Sequence, residues 1–355
     1  MPKTIEAFAA YHRQKELLTD YLQVASAGLA LLRRNVDVPN APALLGALVD
    51  ACGVKHWRVG KQYGSAAEKV EAGIKALGEQ GVVQHVAAFD LFSRAAVQDA
   101  CRFSARARHS FEPLNHEHAL LRLSSAKRWV SGHCCNDVAG QLDNLSTRLD
   151  QLQVWTGWTP SPALAATLPL FELVRSVRNR IAHDASLVGS HLAELSTSSD
   201  TVKALAAFRK TYARADLPTL PEFVRGQPLK LDTVHAILFG AFLYEIAKEV
   251  NAHLVGLMDD DEFIDMAFYY STVVEEHPAR TIQHRSPEGR IRHFLADRYL
   301  RERGGFDGRR VIERLASQKV ADTNDPANDS TYWKLALERH PVLVKAVMQS
   351  AASES

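Results

Sequence analysis

Long apolar runs are missing from this chain of 355 residues. Its most apolar stretch, Val234 to Ala247, contains His235 and Glu245 and is too short and too polar to cross a bilayer. The N-terminus, MPKTIEAFAAYHRQKELL, has no continuous apolar core of the kind a secretory signal needs. Cysteine is scarce: Cys52, Cys101, Cys134 and Cys135, the last two adjacent. This is neither a disulfide framework nor a CxxC metal spacing, and it suits a reducing compartment. Charge of one sign is missing too, since 42 Lys+Arg against 41 Asp+Glu leave a formal +1, so any nucleic-acid contact must come from a local patch. A soluble cytoplasmic protein is expected, with no membrane part, no metal and no cofactor. What the chain does have is 46% hydrophobic residues with 23% charged, enough for a large core and against wholesale disorder.

Period-2 alternation is rare and helical periodicity dominates, so the expected fold class is all-α. Residues 5–34 read as one amphipathic helix ending at Arg33-Arg34, and a second helix follows from Pro42 to about Cys52. Ala66–Leu77 and a separate segment from Val82 to about Arg106 read as two helices. Further helices are expected at about 117–154, 168–189, 201–214 and 231–257. The acidic run Asp259-Asp260-Asp261-Glu262 is expected to end the last of these and mark a boundary. The division is therefore 1–79, an N-terminal helical region; 80–258, a helical domain; and 259–355, an Arg-rich helical region with a polar tail.

One constellation carries chemistry. The segment LPLFELVRSVRNRIAHDASLV contains Arg178-Asn179-x3-His183. Leu170, Val174, Val177 and Ile181 form an apolar stripe at i, i+4, i+7, i+11, and Glu172, Ser176, Asn179 and His183 form a polar stripe at the same spacing on another face. Arg175 and Arg178 border the polar stripe as a pair three residues apart. A guanidinium grips phosphate bidentately, and an imidazole can take a proton from a ribose 2′-OH or return one to the leaving 5′-oxygen. Asn179, one turn before His183, can fix the ring or the phosphate. This set needs no metal. A second Arg-x4-His, Arg128–His133 in RWVSGH, reads as coincidence.

The Arg-Asn-x3-His pattern near the end of a helix resembles the signature of the HEPN superfamily (higher eukaryotes and prokaryotes nucleotide-binding domain). The resemblance covers about residues 80–257: an early helix HVAAFDLFSRAAVQDACRFS, the motif helix, and a final long apolar helix after a Gly/Pro turn. It implies a HEPN-like helical bundle with helical N- and C-terminal extensions, and a homodimer that joins two motifs in a composite cleft. It further implies metal-independent endoribonuclease activity leaving 2′,3′-cyclic phosphate ends, in toxin–antitoxin or antiphage (abortive infection) settings. RNA, such as a tRNA, is then the substrate, and a separate antitoxin or regulatory protein is a partner. Carried over, Arg178 and His183 take the two named motif positions and Asn179 the polar one. HEPN domains also occur as catalytically silent scaffolds that bind a partner or nucleotide, and that alternative stays open, as does a DNA-binding regulator.

Other signals are weaker. His116-Glu117-His118 and His133-Cys134-Cys135 do not match zinc spacings. Trp129, Trp155 and Trp158 read as core. Residues 41–85 lack the Arg/Asn/Gln-rich helix of a winged-helix unit. The stretch Arg280–Arg314 holds ten Arg and five acids, either a phosphate-tracking surface through Arg290, Arg292, Arg298 and Arg301 or a solvated helix face.

Overall fold

The computed structural model describes residues 3–34, 66–107, 145–183, 187–212, 219–220, 222–274, 287–300, 308–311 and 313–314. The fold is all-α: no strand occurs among these residues, only an isolated bridge between Leu187 and Pro228. In chain order the helices are α1 (Glu6–Arg33), α2 (Ala66–Phe103), α3 (Arg148–Thr156), α4 (Pro162–Ala165), α5 (Pro169–His183), α6 (Ser190–Thr197), α7 (Ser199–Thr211), α8 (Thr233–Leu257), α9 (Asp260–Phe268) and α10 (Pro287–Asp297). Two compact units form: one from Met1–His12, Asp90–Pro160 and Ile246–Ser355, the other from Arg13–Phe89 and Ser161–Glu245.

In the first unit the core is aromatic, with Phe8 edge-on to Phe92 at 6.1 Å and Phe294 edge-on to Tyr299 at 5.5 Å. Polar groups from distant parts of the chain tie down residues 3–7. Asn251 accepts from the Ile5 amide at 3.0 Å and donates to the Lys3 carbonyl, while Asp99 accepts from the Ala7 amide at 2.9 Å. The first turn of α1 thus takes its cap from α2 and α8 rather than from its own sequence.

In the second unit Phe208 meets Phe242 edge-on at 5.8 Å, and Phe89 meets Phe171 at 5.9 Å. Here α2 departs from the expected pair of helices, running unbroken through Gly78 and Gly81. Both glycines are contact points rather than breaks. A Cβ on Gly78 would lie 2.6 Å from the Asp232 backbone, and one on Gly81 would lie 2.8 Å from the Ala236 side chain. Tertiary packing outweighs the low helix propensity of glycine.

The acidic run follows the end of α8 at Leu257, as expected, and does more than end it. It opens a helix: the Asp259 side chain accepts from the Glu262 amide at 2.9 Å, and Glu262 returns the bond to the Asp259 amide, a capping box at the start of α9. Glu262 is buried, where it also accepts from the Ala105 amide. The four acids are therefore separated by helix geometry rather than massed at one point.

Candidate functional site

The motif helix α5 lies within the second unit. Pro169 occupies its first position, suited to a residue without an amide proton. The Thr167 hydroxyl donates to the Leu164 carbonyl in the preceding turn. Leu170, Val174 and Val177 are buried as their spacing predicts, together with Phe171 and Leu173; Ile181 is partly buried. That anchored face leaves the other side of the helix to present polar groups.

On that side Arg178 and Asn179 are half-buried and joined: the Arg178 guanidinium donates to Asn179 Oδ1 at 3.1 Å. His183, the last residue of α5, is exposed. It lies one turn beyond Asn179, about 6 Å along the axis. Ser176 is buried and donates to Glu172 at 3.4 Å. Arg175 forms a two-pronged pair with Glu172, its Nε donating at 2.8 Å, while His191 at the start of α6 stands 3.3 Å from the same carboxylate. Burial acts to raise the Glu172 pKa, but hydrogen bonds from Arg175 and His191 outweigh it and hold the carboxyl below its usual value. Of the two arginines flanking the stripe, Arg175 is thus engaged by a carboxylate and Arg178 by an amide oxygen.

The residues just before α6 are held by backbone bonds from far along the chain. Val188 donates to Gln227 and accepts from Gly226, whose φ of +76° suits glycine. Gly189 begins α6 directly against Arg180: a Cβ there would fall 2.6 Å from the guanidinium carbon. Arg180, the middle arginine of RNRIAH, therefore serves packing at the start of α6. His191 was not legible as a site neighbour, because its approach to Glu172 depends on these long-range bonds rather than on helical spacing.

Among the other sequence candidates, Arg292 is exposed on α10, and Arg290 belongs to the same helix. Arg298 pairs with Glu6 at 3.4 Å and stacks on Phe294 at 4.2 Å. Trp158 is buried. Arg301, Trp129, the Arg128–His133 pair, His116-Glu117-His118 and His133-Cys134-Cys135 lie outside the described residues. Among the described residues, no three His, Cys, Asp or Glu side chains gather as metal ligands, and no helix is long and apolar enough to cross a membrane. No family model, curated protein or solved structure matches this chain.

Proposed function

We propose that this chain is a metal-independent endoribonuclease of the HEPN type, acting as a toxin or antiphage effector on RNA, with a structured RNA such as tRNA as substrate. The observation that supports the reading is the arrangement on α5: Arg178 and Asn179 bonded together on a half-buried polar face, with exposed His183 one turn further along. In the proposed reaction the ribose 2′-oxygen attacks the adjacent phosphorus and the 5′-oxygen leaves. The products are a 2′,3′-cyclic phosphate and a 5′-hydroxyl end. Arg178 offsets charge on the phosphoryl oxygens, and His183 transfers a proton at the 2′- or the 5′-oxygen. One copy supplies a single motif histidine, so the acid and base roles are divided between two copies in a homodimer with α5 facing α5. A separate antitoxin or regulatory protein would keep such an enzyme silent.

Expression in cells tests the reading. Wild type should arrest growth and produce new RNA ends in total-RNA sequencing, and Arg178→Ala should do neither. Equal arrest by both proteins without new RNA ends would favour a scaffold or DNA-binding role.

A further inference from the structure

The two faces of α1 within the second unit differ in what they meet. One face is buried: Leu22 is fully enclosed, and the Ser26 hydroxyl donates to that of Thr233. The opposite face is apolar yet open. Leu17 is 71% exposed, Tyr21 55%, Val24 74% and Leu31 64%. With Gly28 these residues step by 4, 3, 4 and 3, the 3.5-residue period that keeps a seam straight along a paired helix. A solvated face has no need of that period.

Gly28 adds an independent observation. Among the described residues nothing lies within 4 Å of where its Cβ would be, so their packing does not call for glycine there. Glycine inside a helix is destabilising, yet it sits in the middle of the stripe beside exposed Ala27. A small pair at this point allows a second helix to approach closely. The charges set the direction. Asp20 and Arg34 are both exposed and lie fourteen residues apart, four turns, on the same edge of the seam. Parallel pairing would set Asp20 against Asp20 and Arg34 against Arg34. Antiparallel pairing sets each Asp20 against Arg34 of the second copy, with the twofold axis beside Ala27.

We propose that this face joins two copies of the chain as an antiparallel helix pair crossing at Ala27 and Gly28. Tyr21 then packs on Leu31 of the second copy, and Val24 fills the notch over its Gly28. The patch is self-complementary, as a twofold interface requires. The interface uses α1 alone and is independent of catalysis at α5. If α5 pairing also occurs, the assembly is a tetramer.

The test is sedimentation of the full chain at micromolar concentration. Gly28→Gln meets no clash among the described residues and favours the helix, so it should leave circular dichroism intact while halving the particle mass. Asp20→Arg should weaken association by about tenfold, as loss of a paired charge at an interface does. The exchange Asp20→Arg with Arg34→Asp should restore it, because antiparallel pairing recovers both contacts. A monomeric wild type, whichever segment covers the face, overturns the proposal. So does a Gly28→Gln protein of wild-type mass, and so does a charge exchange that fails to restore association.

Discussion

The imidazole of His85 occupies the space in which a side chain at Gly240 would begin. A Cβ on Gly240 would lie 2.5 Å from both Cε1 and Nδ1 of that ring. His85 is fully buried, and neither ring nitrogen has a hydrogen-bond partner among the described residues. Burial, aided by the Lys15 charge, lowers its pKa to about 4. The neutral form is therefore the one that fits. Stability from this group is fully present above the ordinary histidine range and is lost as pH falls from 6.5 towards 4. By pH 5 the loss is about 2 kcal/mol. His85→Leu should flatten this slope in urea titrations at pH 7 and pH 5. Gly240→Ala should cost about 1–3 kcal/mol at neutral pH, since the buried ring would have to shift to make room for the methyl.

The glycines of α1 and α2 should respond in opposite ways. At Gly78 an added Cβ meets the Asp232 backbone, which cannot rotate aside, so Gly78→Ala should destabilise by about 2 kcal/mol. At Gly28 the space is open among the described residues, and at protein concentrations too low for the chain to pair Gly28→Ala should stabilise by up to about 1 kcal/mol through helix propensity. Thermal melts of the two variants make the comparison.

Asp99 should show a pH dependence opposite to that of His85. Burial raises its pKa to about 6, against hydrogen bonds from the Tyr270 hydroxyl at 2.6 Å and the Ala7 amide, and against the Arg102 charge. The native state therefore binds this proton more tightly than the unfolded chain, and stability from Asp99 rises as pH falls from about 6 towards 3.8. Hydrogen exchange at pH 7 and pH 5 should show relative protection rising around Ala7 and Asp99 and falling around His85. Asp99→Ala should cost about 2 kcal/mol, because it strips the cap from α1.

The Arg-rich end of the chain contains cations of unequal weight. Arg314 grips Asp265 with two bonds, Nε to Oδ1 at 3.0 Å and Nη2 to Oδ2 at 2.6 Å. Asp265 is buried, and burial raises its pKa to about 6 despite that partner. Arg314→Ala leaves the carboxylate unpaired and should cost about 2 kcal/mol, most of it recovered by adding Asp265→Asn. Arg310, half-exposed beside Asp260 and Asp261, should cost less than about 1 kcal/mol when replaced by Ala. Chemical denaturation of the three variants separates the two kinds of pair.

Sequence alone was enough to read Glu6–Arg33 and Thr233–Leu257 within a residue or two, because apolar residues recur at helical spacing along the first and crowd every side of the second without an internal proline. It also placed Arg178, Asn179 and His183 on one side of an anchored helix. It failed where local chemistry has two meanings. Glycine reads as a break, yet Gly78 and Gly81 are close-approach points in a continuous helix. An acidic run reads only as an end, yet Asp259 is also the N-cap of the next helix. The short helix Ser190–Thr197 went unread between the expected helices 168–189 and 201–214, since its start rests on the Val188–Gly226 contact from far along the chain. Long-range pairs such as Arg298 with Glu6 leave no mark at any fixed spacing.

Cleavage of total cellular RNA by the purified full chain in EDTA, with both new termini identified, tests the proposed reaction most directly. Wild type should give 5′-hydroxyl and 2′,3′-cyclic phosphate ends, and Arg178→Ala or His183→Ala none above background. Both variants should bind RNA within about twofold of wild type, since the two side chains act mainly in the transition state. Cleavage that survives both substitutions, or that appears only when Mg²⁺ is restored, would contradict the proposed reaction.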